Sequence, residues 1–136
     1  MAPPLAGARP SILELLLLAV SIYVMAFTLT VLGFLLAWRM ESTQGYHAII
    51  NLLLVPLWMV SGAVFPISGA HGWIRAVMRV NPLTYALAPI QRLLDNQAPP
   101  ETPALGMSLL ITAGLGLALW IGAAILVARP PAKISA

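Results

Sequence analysis

No cysteine occurs among the 136 residues, which excludes disulfides, thiolate metal sites and cysteine nucleophiles and leaves the redox compartment unreadable. Charge is nearly as scarce: 8% of the residues are Asp, Glu, Lys or Arg, against about a quarter in a soluble globular domain. The only lysine, Lys133, lies in the tail, so no phosphate-binding loop of the form GxxxxGK followed by Ser or Thr exists. If ATP is used, another chain or domain binds it, and no cofactor is expected on this one. The four acids, Glu14, Glu41, Asp95 and Glu101, have no paired spacing, and no Ser-His-Asp or GxSxG arrangement is visible. Both absences argue against an enzyme. The net charge of +3 is scattered rather than gathered in a stripe, which gives nucleic-acid binding no support. His47 and His71 fall at opposite ends of an apolar run; a shared metal site is excluded if that run is a span, and each reads as an isolated interfacial polar group.

What the chain has in abundance is long apolar sequence: 60% of its residues are hydrophobic. Three runs reach the roughly 20 residues needed to cross a hydrocarbon core. The first, 11–38, contains one charge, Glu14, close to its start. It is much longer than a signal-peptide core and is expected to be retained as a span. An intramembrane acid is a functional candidate, but the place of Glu14 in the first turn favours an interfacial carboxylate at a helix N-terminus. Gly33 is the weak point of this helix.

A polar connector, 39–47, follows and is expected in water at one membrane face. The second span, 48–67, carries Asn51, Pro56 and Ser61; Pro56 leaves a backbone carbonyl without its donor and predicts a kink. From 68 to 103 charges return and the character is interfacial. Within 72–80, Trp73, Ile74, Val77 and Met78 share one helical face while Arg75 and Arg79 share another, which predicts a short amphipathic helix. These arginines suit lipid phosphates, an anionic substrate or simple snorkelling. Asn81-Pro82 predicts the start of a second short helix, Asn as cap and Pro in the first turn, with a bend at Pro89. The segment 96–103 reads as a surface connector. The third span, 104–128, has Gly114, Ala118 and Gly122 four apart, a small-residue ridge suited to close packing with a neighbouring span or across a subunit seam.

The sum is an all-α membrane protein: one transmembrane domain over 1–136, with three transmembrane helices plus two short interfacial or re-entrant helices between the second and third spans. Charge does not orient it, since Arg39, Arg129 and Lys133 on one side oppose Arg9, Arg75, Arg79 and Arg92 on the other.

The ordered series NLLLVPLWMVSGAVFP (51–66), GWIRAVMRV (72–80) and NPLTY (81–85), followed by Arg92, resembles the late region of the type-2 ATP-binding-cassette (ABC) permease family. In that family a span ends in Ser-Gly-x-x-Phe-Pro, and a Trp-containing amphipathic segment and Asn-Pro-Leu-Thr-Tyr follow. The resemblance implies a multi-pass permease of the cell (inner) membrane, six spans in its full form, dimeric with a second permease copy and driven by a separate ATP-hydrolysing subunit. This chain would match spans four to six, and the first three, with their coupling segment, are not in it. The family's Pro before the Trp is replaced by His71-Gly72 here, and the acid before the final arginine by residues near Pro89-Ile90-Gln91.

On this resemblance the connector residues Glu41, Ser42, Thr43 and Gln44 are candidates for contact with the ATPase. The segment 68–103 would form an external gate. Candidate path or gate residues are Asn51, Pro56, Ser61, Phe65, Trp73, Asn81, Pro82, Tyr85 and Arg92. An exporter is the expectation, and its substrate is unreadable; the alternative is a small membrane scaffold that uses the Gly114, Ala118, Gly122 ridge to bind other helices.

Overall fold

In the computed structural model, residues 10–65, 67–94 and 102–129 are described. Pro66, Asp95, Glu101, the rest of the connector 95–101 and both chain ends, with Arg9 and Lys133, lie outside the described residues. The described residues form five α-helices and no strand: α1 (Ile12–Trp38), α2 (Thr43–Trp58), α3 (Gly72–Val80), α4 (Pro82–Leu94) and α5 (Leu105–Ala128). A π-helical turn, Met59–Ala63, continues α2, and a 3-10 turn, Ile67–Gly69, precedes α3. Three helices are long and apolar enough to span a bilayer: Ile12–Trp38, Thr43–Ala63 and Leu105–Ala128.

Local chemistry sets the ends of these helices. Ser11 caps α1: its hydroxyl accepts from the Glu14 amide at 3.2 Å, and the Glu14 carboxylate accepts from the Ser11 amide at 2.8 Å. Glu14 is thus the second half of a capping box, satisfying amides that the first turn leaves open. Ser42 caps α2 in the same way, its hydroxyl accepting from Gly45 at 3.1 Å.

That cap moves a boundary. The second span was expected over 48–67 behind a connector of 39–47, whereas the helix starts at Thr43 and ends at Ala63. Residues 43–47 are polar, yet once Ser42 fixes the first turn they simply extend the helix toward the membrane surface. At about 1.5 Å per residue, 21 residues reach about 31 Å, the thickness of a hydrocarbon core. The other two spans lie within a residue of their expected limits.

α1 and α5 form the main seam. α1 buries Ser21, Thr28 and Val31, and α5 buries Ser108, Thr112, Gly116 and Ala123, with Thr28 set against Thr112 and Gly116. The Thr28 hydroxyl reaches the Thr112 carbonyl at 3.1 Å and the Val24 carbonyl at 2.9 Å. A Cβ placed on Gly116 would stand 2.5 Å from Thr28 Oγ1, so only glycine allows this approach. Small residues with hydroxyls turned to main-chain carbonyls are how helices associate where lipid removes the hydrophobic drive.

The ridge Gly114, Ala118, Gly122 is exposed, and a Cβ on Gly114 or Gly122 would meet nothing within 4 Å. It takes no part in packing within the chain. At about 100° per residue Gly114 is about 200° from Thr112; α5 carries two small-residue ridges on opposite faces, and the chain buries the other one.

α4 packs between α1 and α5 and against the π turn, burying Leu83, Thr84, Ala86, Ala88 and Pro89. By contrast α2 has no buried residue. Near its start, Gly33 of α1 lies where an added Cβ would be 3.3 Å from the Tyr46 hydroxyl. The glycine that weakens α1 makes room for α2.

Candidate functional site

The second span does not run straight through. Pro56 lies inside α2 and can give no amide to the carbonyl one turn earlier. Immediately beyond, the helix loosens into the π turn and breaks at Gly62, whose φ of 89° belongs to the left-handed region, where a side chain is strained. The kink expected at Pro56 is thus expressed nearly two turns later, at Gly62, the residue best able to adopt it. Ser61 is buried and returns its hydroxyl to the Trp58 carbonyl at 2.6 Å.

The re-entrant pair α3–α4 closes on this break. Asn81, 3% exposed, donates from Nδ2 to the Leu57 carbonyl at 2.6 Å and accepts at Oδ1 from the Leu83 amide at 3.0 Å. Leu57 precedes the end of the span by six residues, about 9 Å along the helix. Asn81 therefore sits well below the membrane surface, and the chain turns there from α3 into α4. Ten residues on, Gln91 Nε2 donates to the Gly62 carbonyl at 3.2 Å. Two side-chain amides, one at the cap of α4 and one within it, thus hold one carbonyl just before the loosened turn and one inside it. Irregular backbone at membrane depth is tolerable only when protein satisfies it in this way.

The same geometry explains the sequence NPLTY. The last carbonyls of α3 have no partner within their own helix. Thr84 Oγ1 donates to Met78 O at 2.7 Å, and Tyr85 Oη donates to Arg79 O at 2.7 Å. Asn81 caps α4, Pro82 fills its first position, where no amide is needed, and Thr84 with Tyr85 seals the end of α3. At the far end of α4, Arg92 donates through Nε to the Pro103 carbonyl at 2.7 Å and through Nη2 to the Thr102 carbonyl, fixing the approach to α5.

The structure therefore places Ser61 and Asn81 at the break and Tyr85 on the end of α3, with Pro56 and Pro82 at the margins and Arg92 at the exit. It does not bring in Asn51 or Trp73, whereas Phe65 stands beside the break and lines a cavity with Met59 and Val60 of the π turn and Ile74 and Met78 of α3. Asn51 is exposed on α2, Phe65 is 57% exposed and Trp73 is 75% exposed. Glu41, Ser42, Thr43 and Gln44 are all exposed at the opposite end of α2. Sequence reasoning missed Thr84 and Gln91. The first was readable from its place beside Asn81-Pro82; the second gives no local signal, because its partner is 29 residues away.

A broken span with a re-entrant helix pair docked on the break is the arrangement that the ordered sequence pieces implied, and a family comparison covers that region. The model of the ABC-2 type transporter family matches residues 2–93. The chain belongs to the ABC-2 type transporter family. No curated protein and no solved structure matches it. As an ABC-2 transporter membrane domain it is the membrane-spanning permease component of an ABC transporter, not the ATPase. In this ABC-2 chain the match takes in α1, the broken α2 and the re-entrant pair nearly to the end of α4, so the hydrogen-bonded break lies wholly within it.

Proposed function

We propose that this permease component works as an exporter of the cell (inner) membrane, with α3–α4 as its outer gate and a separate ATP-binding-cassette subunit supplying the energy. The observation that carries the reading is the docking of α4 on the break in α2: Asn81 on Leu57 and Gln91 on Gly62. Such a joint can seal a path at rest and yield when the spans tilt, because few bonds hold it and rigid-body tilt of packed helices needs no unfolding.

The polar end of α2 lies opposite the gate. Glu41, Ser42, Thr43 and Gln44 would meet the ATPase there, on the cytoplasmic side, and α2 itself would transmit the movement. Asn51 supports a path or a second permease copy along α2. It is exposed about 12 Å from the start of that helix, a depth at which an amide left facing hydrocarbon is costly. Protein or water, rather than lipid, suits the Asn51 amide itself.

The test is a tagged pull-down from mild-detergent membranes, with and without alanines at Glu41, Ser42, Thr43 and Gln44. Capture of an ABC ATPase that is lost on mutation supports the reading. An intact, inserted protein that captures no ATPase would sink it.

A further inference from the structure

Away from the hydrogen-bonded break, α1, α2, α4 and α5 line a partly open cavity of about 160 Å³. Met25 of α1, Leu54 of α2 and Leu115 of α5 line it, and each lies within two residues of the middle of its span. The cavity is therefore at the centre of the membrane. Leu83 and Ala86 of α4 form its inner wall, and on the α2 side only Leu54 and Leu57 contribute. Because α2 buries no residue, this is the thinnest wall.

The two polar residues on the lining are already engaged. The Thr28 hydroxyl donates to main-chain carbonyls, and that of Thr112 donates to Ser108 O at 2.8 Å. Water entering would find too few partners to stay; a cavity of about 150 Å³ with aliphatic walls remains dry and accepts apolar guests. An empty space of this size leaves its lining side chains without dispersion contacts on one side. The apolar matter present at this depth is the end of a lipid alkyl chain.

We propose that this cavity is a binding site for the alkyl chain of a membrane phospholipid, entering from the α2 side. The chain fills the space between Met25, Leu54, Leu83 and Leu115, while the headgroup stays at the surface. This site is separate from the proposed gate, and its test reads binding alone, not transport.

The full chain, with 13C-labelled methionine methyls, is placed in phosphatidylcholine bilayers containing a small fraction of phosphatidylcholine with a nitroxide near the end of one chain. The relaxation rate of the Met25 methyl is then compared between the wild type and two variants. Ala86→Phe fills the cavity and should lower the nitroxide-induced rate several-fold. Leu54→Ala opens the thin wall and should raise it. If Ala86→Phe fails to fold, as its methyl spectrum would reveal, Leu54→Ala and the wild type still decide. Equal rates in all folded proteins mean that Met25 meets only bulk lipid, which overturns the proposal. No broadening at all also overturns it, since another helix or a second copy then covers the cavity.

Discussion

The side-chain amide of Asn81 lies 2.6 Å from the main-chain carbonyl of Leu57, joining the turn between two re-entrant helices to a span 24 residues earlier in the chain. The same side chain accepts from the Leu83 amide, so one residue caps α4 and anchors it to α2.

Asn81→Ala should therefore cost about 1–3 kcal/mol, the range for leaving buried polar groups unpaired. Asn81→Asp keeps the cap but loses the donor to Leu57 and introduces a charge at depth, and it should cost more. Reversible unfolding in mixed detergent micelles measures both; an unchanged midpoint for either would mean that the bond contributes nothing.

Gly62→Ala places a Cβ at a φ of 89°. The left-handed conformation costs a side-chain-bearing residue roughly 1–2 kcal/mol, and nothing nearer than Ile67 Cγ1 at 3.9 Å crowds it. Strain alone should set the effect, so Gly62→Asn, which tolerates this region better, should recover much of the loss in the same unfolding assay.

The two ridges of α5 should respond oppositely to added methyl groups. Gly116→Ala brings a Cβ to 2.5 Å from Thr28 Oγ1 and should destabilise by about 1–3 kcal/mol, the usual range for overpacking. Thr28→Ala combined with it should return part of that loss, a coupling that a double-mutant cycle detects. Gly114→Ala, which meets open space, should leave the isolated chain as stable as before or slightly more so. A loss of self-association in that variant would identify the outward ridge as a contact between chains.

Ser108 offers a contrasting case. It is fully buried, and its hydroxyl has no hydrogen-bond partner among the described residues. Ser108→Ala removes an unsatisfied group without changing the close packing, so stability should hold or rise by up to about 1 kcal/mol. A clear loss would show that the hydroxyl has a partner in the membrane.

Much of the architecture was legible because lipid leaves the backbone few options. An apolar run of span length must form a helix that satisfies its own amides and carbonyls, and this alone gives α1, α5 and most of α2. Asn81-Pro82 also marked the start of α4 correctly, since capping is a property of adjacent residues. Where the polar stretch at 43–47 misled, the error was one of boundary: Ser42 started the helix before the apolar run began.

The sequence by itself determined the number of spans, which depends on apolar runs of about 20 residues, and the start of α4, which depends on neighbours within about a turn. Only the tertiary structure decided which ridge of α5 is buried. Ser108-Thr112-Gly116 and Gly114-Ala118-Gly122 have the same spacing, and the choice depends on Thr28 of a distant helix meeting one of them. It also decided that the carbonyls of Leu57 and Gly62 would be held by Asn81 and Gln91. A main-chain carbonyl has no identity in a sequence, so its long-range partner can be known only once the helices are placed side by side.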